Sequence, residues 1–230
     1  MSRHRWLKAE WPIVARTLGK QLRQRPFTEQ SQSGFILDRV RDDFLEARHV
    51  ERFEFDETVS DPFGKERTFA RLEYRQTHFR TSAQWPGLEL IDAPRSSQAL
   101  VSELLEATNF ALSVEPIGTD VMGWAEGIQE LLKLKVEISS VQVGALQLDD
   151  GISAKVVVKG TNDVRASFRN LVADKRYTVE KVQFRVVRGT AIGTVLLANN
   201  ASAKLDGQDL ESEVLDAVRK ALPRPVPQKK

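Results

Sequence analysis

The stretch Asp42-Asp-Phe-Leu-Glu-Ala-Arg-His49 places Asp42, Glu46 and His49 at helical spacing, with Glu46 and His49 as a Glu-x-x-His pair. Two such pairs on neighbouring helices build a carboxylate-bridged metal site. The chain holds one, and its other histidines, His4 and His78, lie far from it in sequence. Glu46 and His49 therefore read as polar surface contacts on a helix, and no metal site is expected.

A second chemistry needs only acids and a lysine. Two carboxylates can hold magnesium while a lysine faces a scissile phosphate. Asp61, Lys65 and Glu66 surround the turn "DPFGKE", and Glu137 lies in "KLKVEIS". Turn formation already accounts for Asp61, Pro62 and Gly64. A metal-dependent nuclease built on Asp, Glu and Lys is kept as the alternative from the enzyme class.

Other chemistries lack their residues. There is no cysteine, hence no disulfide, thiolate nucleophile or Cys-ligated metal. The G-x-S-x-G elbow, the phosphate-cradling G-x-x-x-x-G-K-[ST] loop and G-x-G-x-x-G do not occur. No catalytic residue and no cofactor is assigned.

Residues suited to binding lie at the two ends. Net charge is +2, yet residues 1–30 carry seven Lys/Arg against two Glu, and residues 219–230 carry five Lys/Arg and no acid. The middle is correspondingly acidic. Arg16, Lys20 and Arg23 recur at i, i+4, i+7 beside an apolar stripe of Val14, Leu18 and Leu22, with Arg25 following. Arg219 and Lys220 end the last periodic segment. These six cations are the expected contacts for a partner protein or for nucleic acid phosphates. A weaker anion site is expected at Arg95 and Ser96, where a helix begins.

The strand "FARLEYRQTHFR" interleaves Arg71, Arg75, Tyr74, His78 and Phe79 and raises the question of nucleic acid. Glu73 between the two arginines, and Glu51, Glu54, Asp56 and Glu57 just before, weaken that reading in favour of an ordinary amphipathic strand. Ala70, Leu72 and Tyr74 share one face, which is expected to meet the core.

These residues are placed on elements by hydrophobic period. Residues 12–25 predict a helix between Pro12 and Pro26, and 28–34 a linker. Residues 35–49 predict a second helix from Phe35/Ile36, Val40 and Phe44. Residues 51–80 predict a long hairpin, 87–91 a strand, and 96–110 a helix with Leu100, Val101, Leu104 and Leu105 on one face. Then come a short strand "ALSVEP" and a helix capped by Thr119 or Asp120, with Trp124, Ile128, Leu131 and Leu132 inward. From 135 the pattern is β, with Asp149-Asp150-Gly151 as a hairpin turn. Residues 163–175 fit a helix through Val164, Phe168, Leu171 and Val172. The final helix carries Leu210, Val214, Leu215 and Val218.

The expected fold is α+β, with mostly antiparallel sheet built from hairpins and helices segregated between and after the strands. The expected division is a basic helix and linker at 1–30, an α+β part at 35–134, a β-rich part with its helix at 135–222, and a disordered basic tail at 223–230. No apolar run reaches the ~18 residues of a membrane span, and no signal core follows the charged start. A cytoplasmic protein follows, and the excess of Arg over Lys suggests a GC-rich bacterial genome. The function expected is a non-catalytic binding or assembly subunit of a larger complex, contacting a partner protein or nucleic acid through basic ends. A defence or DNA-handling system would suit it. A self-assembling structural protein, pairing through sheet edges in 135–204, is the remaining alternative.

Overall fold

A computed structural model of the chain describes residues 1–134, 136–188, 191–207 and 211–224. Strand accounts for 49% of residues and helix for 22%, so the sheet dominates. The strand pairings with a resolved register are antiparallel. The chain forms two compact units, Lys8–Glu115 and Met1–Leu7 with Pro116–Lys230.

The elements of the Lys8–Glu115 unit begin with the end of β1 (Ser2–Glu10), followed by α1 (Ala15–Leu22), β2 (Ser33–Val40), β3 (Phe44–Ser60) and β4 (Glu66–Ser82). Then come β5 (Gly87–Ile91), α2 (Gln98–Ala107) and β6 (Ser113–Pro116). The strands run in the order β2-β3-β4-β5-β1, with β6 beside β1. Period-two burial builds the core: Leu45, Ala47 and His49 on β3, then Thr77, Phe79 and Thr81 on β4. Leu88 and Leu90 continue it on β5. Leu18 and Leu22 of α1 and Leu100 and Leu104 of α2 are buried as well. Full burial of a Leu is worth about 1.5–3 kcal/mol, enough to hold a two-turn helix that could not persist alone.

Three expectations are corrected here. Residues 35–49 are not a helix: they form β2 and the start of β3, paired Phe35 to His49 and Leu37 to Ala47. The four-residue recurrence of Ile36, Val40 and Phe44 spans a turn, closed where Arg41 N–H donates to the Phe44 carbonyl at 2.9 Å. Glu46 and His49, three apart on a strand, consequently point to opposite faces. On β4 the core face is the odd one, through Thr77, Phe79 and Thr81, while Ala70, Leu72 and Tyr74 are exposed. The upstream half of the hairpin has no neighbour on which to bury a side chain. In the segment 28–34, Ser33 and Gly34 already belong to β2.

The other unit begins with the first residues of β1 and continues with α3 (Val121–Leu132), β7 (Val136–Asp149), β8 (Ile152–Lys159), α4 (Arg165–Val172) and β9 (Tyr177–Arg188). β10 (Ala191–Ala198), β11 (Ser202–Asp206) and α5 (Glu211–Lys220) complete it. Strand order is β1-β11-β10-β9-β7-β8. Asp120 caps α3, its Oδ1 accepting from Met122 N–H at 3.0 Å. α3 packs on β9 and β10, α5 on β11 and α4 on β7. Trp124 of α3 meets Trp6 of β1 edge-on at 5.6 Å between ring centroids and donates from Nε1 to the Val218 carbonyl at 2.9 Å. Ile128 is buried beside it, but Leu131 is 51% exposed, against the expectation that it faces inward. At 100° per residue it has rotated off the face that Trp124 and Ile128 define. The change of character at 135 is the entry to β7. Leu210 and the tail from residue 225 lie outside the described residues.

Candidate partner-binding surfaces

β3 and β4 pair over seventeen residues, from Phe44 with Ser82 to Ser60 with Glu66. Their neighbours stop early. β2 accompanies β3 only as far as Glu51, and β5 accompanies β4 only from His78 onward. The remainder, 52–77, is a bare two-stranded arm. Nine residues per strand at about 3.4 Å each give it a reach of about 30 Å.

Register sorts its side chains into two faces. Phe53 faces Glu73, Phe55 faces Arg71, Glu57 faces Phe69 and Val59 faces Arg67. This face thus alternates aromatic and arginine groups. Arg75 sits over the Phe53 ring at 4.6 Å and Arg71 over Phe55 at 5.7 Å. Arg71 also pairs with Glu57 at 3.0 Å and with Glu73 at 3.1 Å, and the Glu57 contact and charge hold its pKa above the usual guanidinium value. The opposite face carries Glu54, Asp56, Thr58, Thr68, Leu72 and Tyr74, with the Thr58 and Thr68 hydroxyls 3.1 Å apart. Cross-strand contacts of these kinds are the local glue of a hairpin.

The tip is built by Asp61. Its Oδ1 accepts the amides of Phe63 and Lys65, each at 2.9 Å, and Gly64 takes a positive φ of 83°. Phe63 is thereby held at the apex, 94% exposed. Residues 52–76 carry five Lys/Arg and six Asp/Glu, so the arm has no net attraction for phosphate. Its aromatic and arginine groups belong instead to the residue types enriched at protein interfaces.

The expected basic contacts are located as follows. Arg16, Lys20, Arg23 and Arg25 are exposed on and just after α1. Arg16 pairs with Asp42, and Arg25 with Glu106 at 2.7 Å. Lys20 and Arg23 have no carboxylate partner among the described residues. The stripe beside them is turned into its own unit: Leu18 and Leu22 are buried, and a Cβ on Gly19 would come within 3.3 Å of Val40. Only Val14 of that stripe stays exposed. Arg219 and Lys220 end α5 in the other unit, with Arg219 Nη1 3.4 Å from Asp216. Arg95 is exposed before α2, and the Ser96 hydroxyl accepts the Gln98 amide at 3.4 Å.

His49 has a structural place. Its buried ring lies behind β3, with Nε2 3.1 Å from Glu103 Oε1 of α2 in a bent approach. The Ser33 hydroxyl donates to the same oxygen. Burial pushes the Glu103 carboxyl up, but His49, Ser33 and the Arg25 charge together outweigh it and hold the group below the usual carboxylate range. Glu137 pairs with Arg185 at 3.2 Å, while Asp61 is engaged by the turn. Among the described residues no group of three or more His, Cys, Asp or Glu is gathered as a metal site would need. A groove of about 420 Å³ runs between Trp11–Ala15 and Thr81–Ala83, with Glu10 as its carboxylate. No helix among the described residues is long and apolar enough to cross a membrane.

No protein-family model matches the chain, and no curated protein matches its sequence.

Proposed function

We propose that this chain is a binding or assembly subunit that engages a partner protein through the β3/β4 arm. The observation that carries this reading is the bare ribbon itself. Phe53, Phe55, Phe69, Leu72 and Tyr74 stand on strands that lack a third neighbour, and Phe63 caps them. Isolated hairpins are marginal in water, and contiguous exposed apolar surface marks interaction sites. A partner would complete the ribbon by covering its aromatic–arginine face. It would present apolar pockets rimmed by carboxylates, to which Arg67 and Arg75 are complementary.

The test is photo-cross-linking in cells from a benzophenone side chain at position 63, compared with the same probe at exposed Thr17 on α1. Support is one cross-linked protein obtained from position 63, lost when Phe55 and Phe69 are replaced by Ser. Equal labelling from both positions, or labelling indifferent to the Phe substitutions, would sink the reading.

A further inference from the structure

The helices α3, α4 and α5 occupy one face of the sheet in the unit formed by Met1–Leu7 and Pro116–Lys230. The alternation along β1 identifies the opposite face. Ser2 hydrogen-bonds Glu211 of α5 and Trp6 packs on Trp124, so Arg3 and Arg5 project away from the helices.

The register carries that face across six strands. Arg3 stands opposite Lys204, Lys204 opposite Leu196, Leu196 opposite Gln183, Gln183 opposite Ser140, and Ser140 opposite Lys159. The neighbouring row runs Arg5, Ser202, Ala198, Lys181, Gln142, Val157. These two rows hold five cations and no acidic residue. Between the cations stand Ser140, Ser202, Gln142 and Gln183, which can donate hydrogen bonds to oxygen.

The acids of this surface lie beside the rows and have local partners. Glu137 pairs with Arg185 at 3.2 Å. Glu180, in the β9 irregularity, takes Lys155 at 3.0 Å and the Gln142 amide at 2.6 Å, and these contacts with the nearby Lys181 hold its carboxyl below the usual range. Lys159 and Lys204 have no carboxylate partner among the described residues. The Arg5 Nε is buried without an acceptor.

We infer that this open sheet face binds the sugar–phosphate backbone of nucleic acid, independently of base sequence. The argument rests on charge complementarity: uncompensated cations distributed over five strand spacings, about 24 Å, match an extended polyanion. The rows carry no aromatic residue, so the contacts are to phosphate, without the base stacking that single-strand platforms add. A lipid surface is disfavoured because the rows offer no large aromatic or apolar anchor besides Leu196 and Val157. This inference stands on the sheet register alone and does not depend on the arm.

The experiment is fluorescence anisotropy with full-length protein, mixed-sequence RNA and DNA oligonucleotides, and a salt titration. The test variant is Lys159→Glu/Lys181→Glu/Lys204→Glu, with the triple Gln variant as a milder form and Lys20→Glu/Arg23→Glu as the control. Melting curves establish that each variant is folded. The expected result is binding that weakens with salt, reduced at least about tenfold in the Gln variant and more in the Glu variant. The log–log salt slope should fall by about 2 as three phosphate contacts are lost, while the α1 control stays within about twofold of wild type. RNA and DNA arms identify which backbone is preferred. Absence of binding at low salt, or equal loss in the α1 control, would overturn the inference. So would retention by anionic phospholipid vesicles or polyglutamate, with the same variant dependence, in place of nucleic acid.

Discussion

Glu103 shows how a residue that invites a catalytic reading can be structural. Its carboxylate lies between the buried His49 ring, the Ser33 hydroxyl and the Arg25 charge. Because these hold its folded pKa below the unfolded one, the stabilisation it gives is present above the unfolded value and is lost as pH falls through the folded one. Glu103→Gln is expected to lower Tm at pH 7, with the gap to wild type narrowing toward about pH 3, as the wild-type carboxyl is protonated. An equal gap at both ends of that range would contradict the charge argument. The Glu46/His49 pairing was visible in the sequence only as spacing. What was not visible is that period two replaces period 3.6 here. Leu45, Ala47 and His49 go inward together, so His49 meets an acid on α2, 54 positions later, and not Glu46.

At the scale of elements, α1 and the arm were both legible as elements, and their surroundings were not. Pro12 and Pro26 bracket α1, and its Leu stripe is real, yet the stripe is consumed by β2 and β3. Leu22→Ala is therefore expected to cost about 2–5 kcal/mol, read as a shift in the urea midpoint. A loss below about 0.5 kcal/mol, the range of surface substitutions, would place that side chain outside the core. The hairpin 51–80 could be read from alternation and from the DPFGK turn, but alternation does not reveal whether a third strand is present. The useful signal was that both faces of 66–76 mix charges with large apolar groups, which no half-buried strand does. With no neighbour beyond Glu51 and His78, the arm depends on its own ladder. Amides of 53–58 are expected to exchange with deuterium far faster than those of Val182–Val186, which lie between two paired strands. Equal protection in the isolated chain would mean that something already covers the arm.

For the whole molecule, composition and hairpin signals were sufficient for a largely antiparallel, sheet-dominated fold. They could not supply the register between distant segments. Arg3, Lys204, Lys181 and Lys159 share a face because β1 pairs with β11, some 200 residues away, and β11 itself carries no strong sequence signal. The basic ends, conspicuous as charge runs, divide between the two units: α1 belongs to one, while Arg3, Arg5 and α5 belong to the other. The account's central claim is that the arm is the element that takes a partner protein. The direct measurement is light scattering coupled to size-exclusion chromatography on tagged chain purified from the cells that make it. Wild type would be compared with Phe55→Ser/Phe63→Ser/Phe69→Ser. The account predicts a wild-type complex of fixed stoichiometry with one other protein, and a lone variant chain with unchanged Tm because all three side chains are exposed. A variant that keeps the partner, or a wild-type chain that elutes alone, would contradict it.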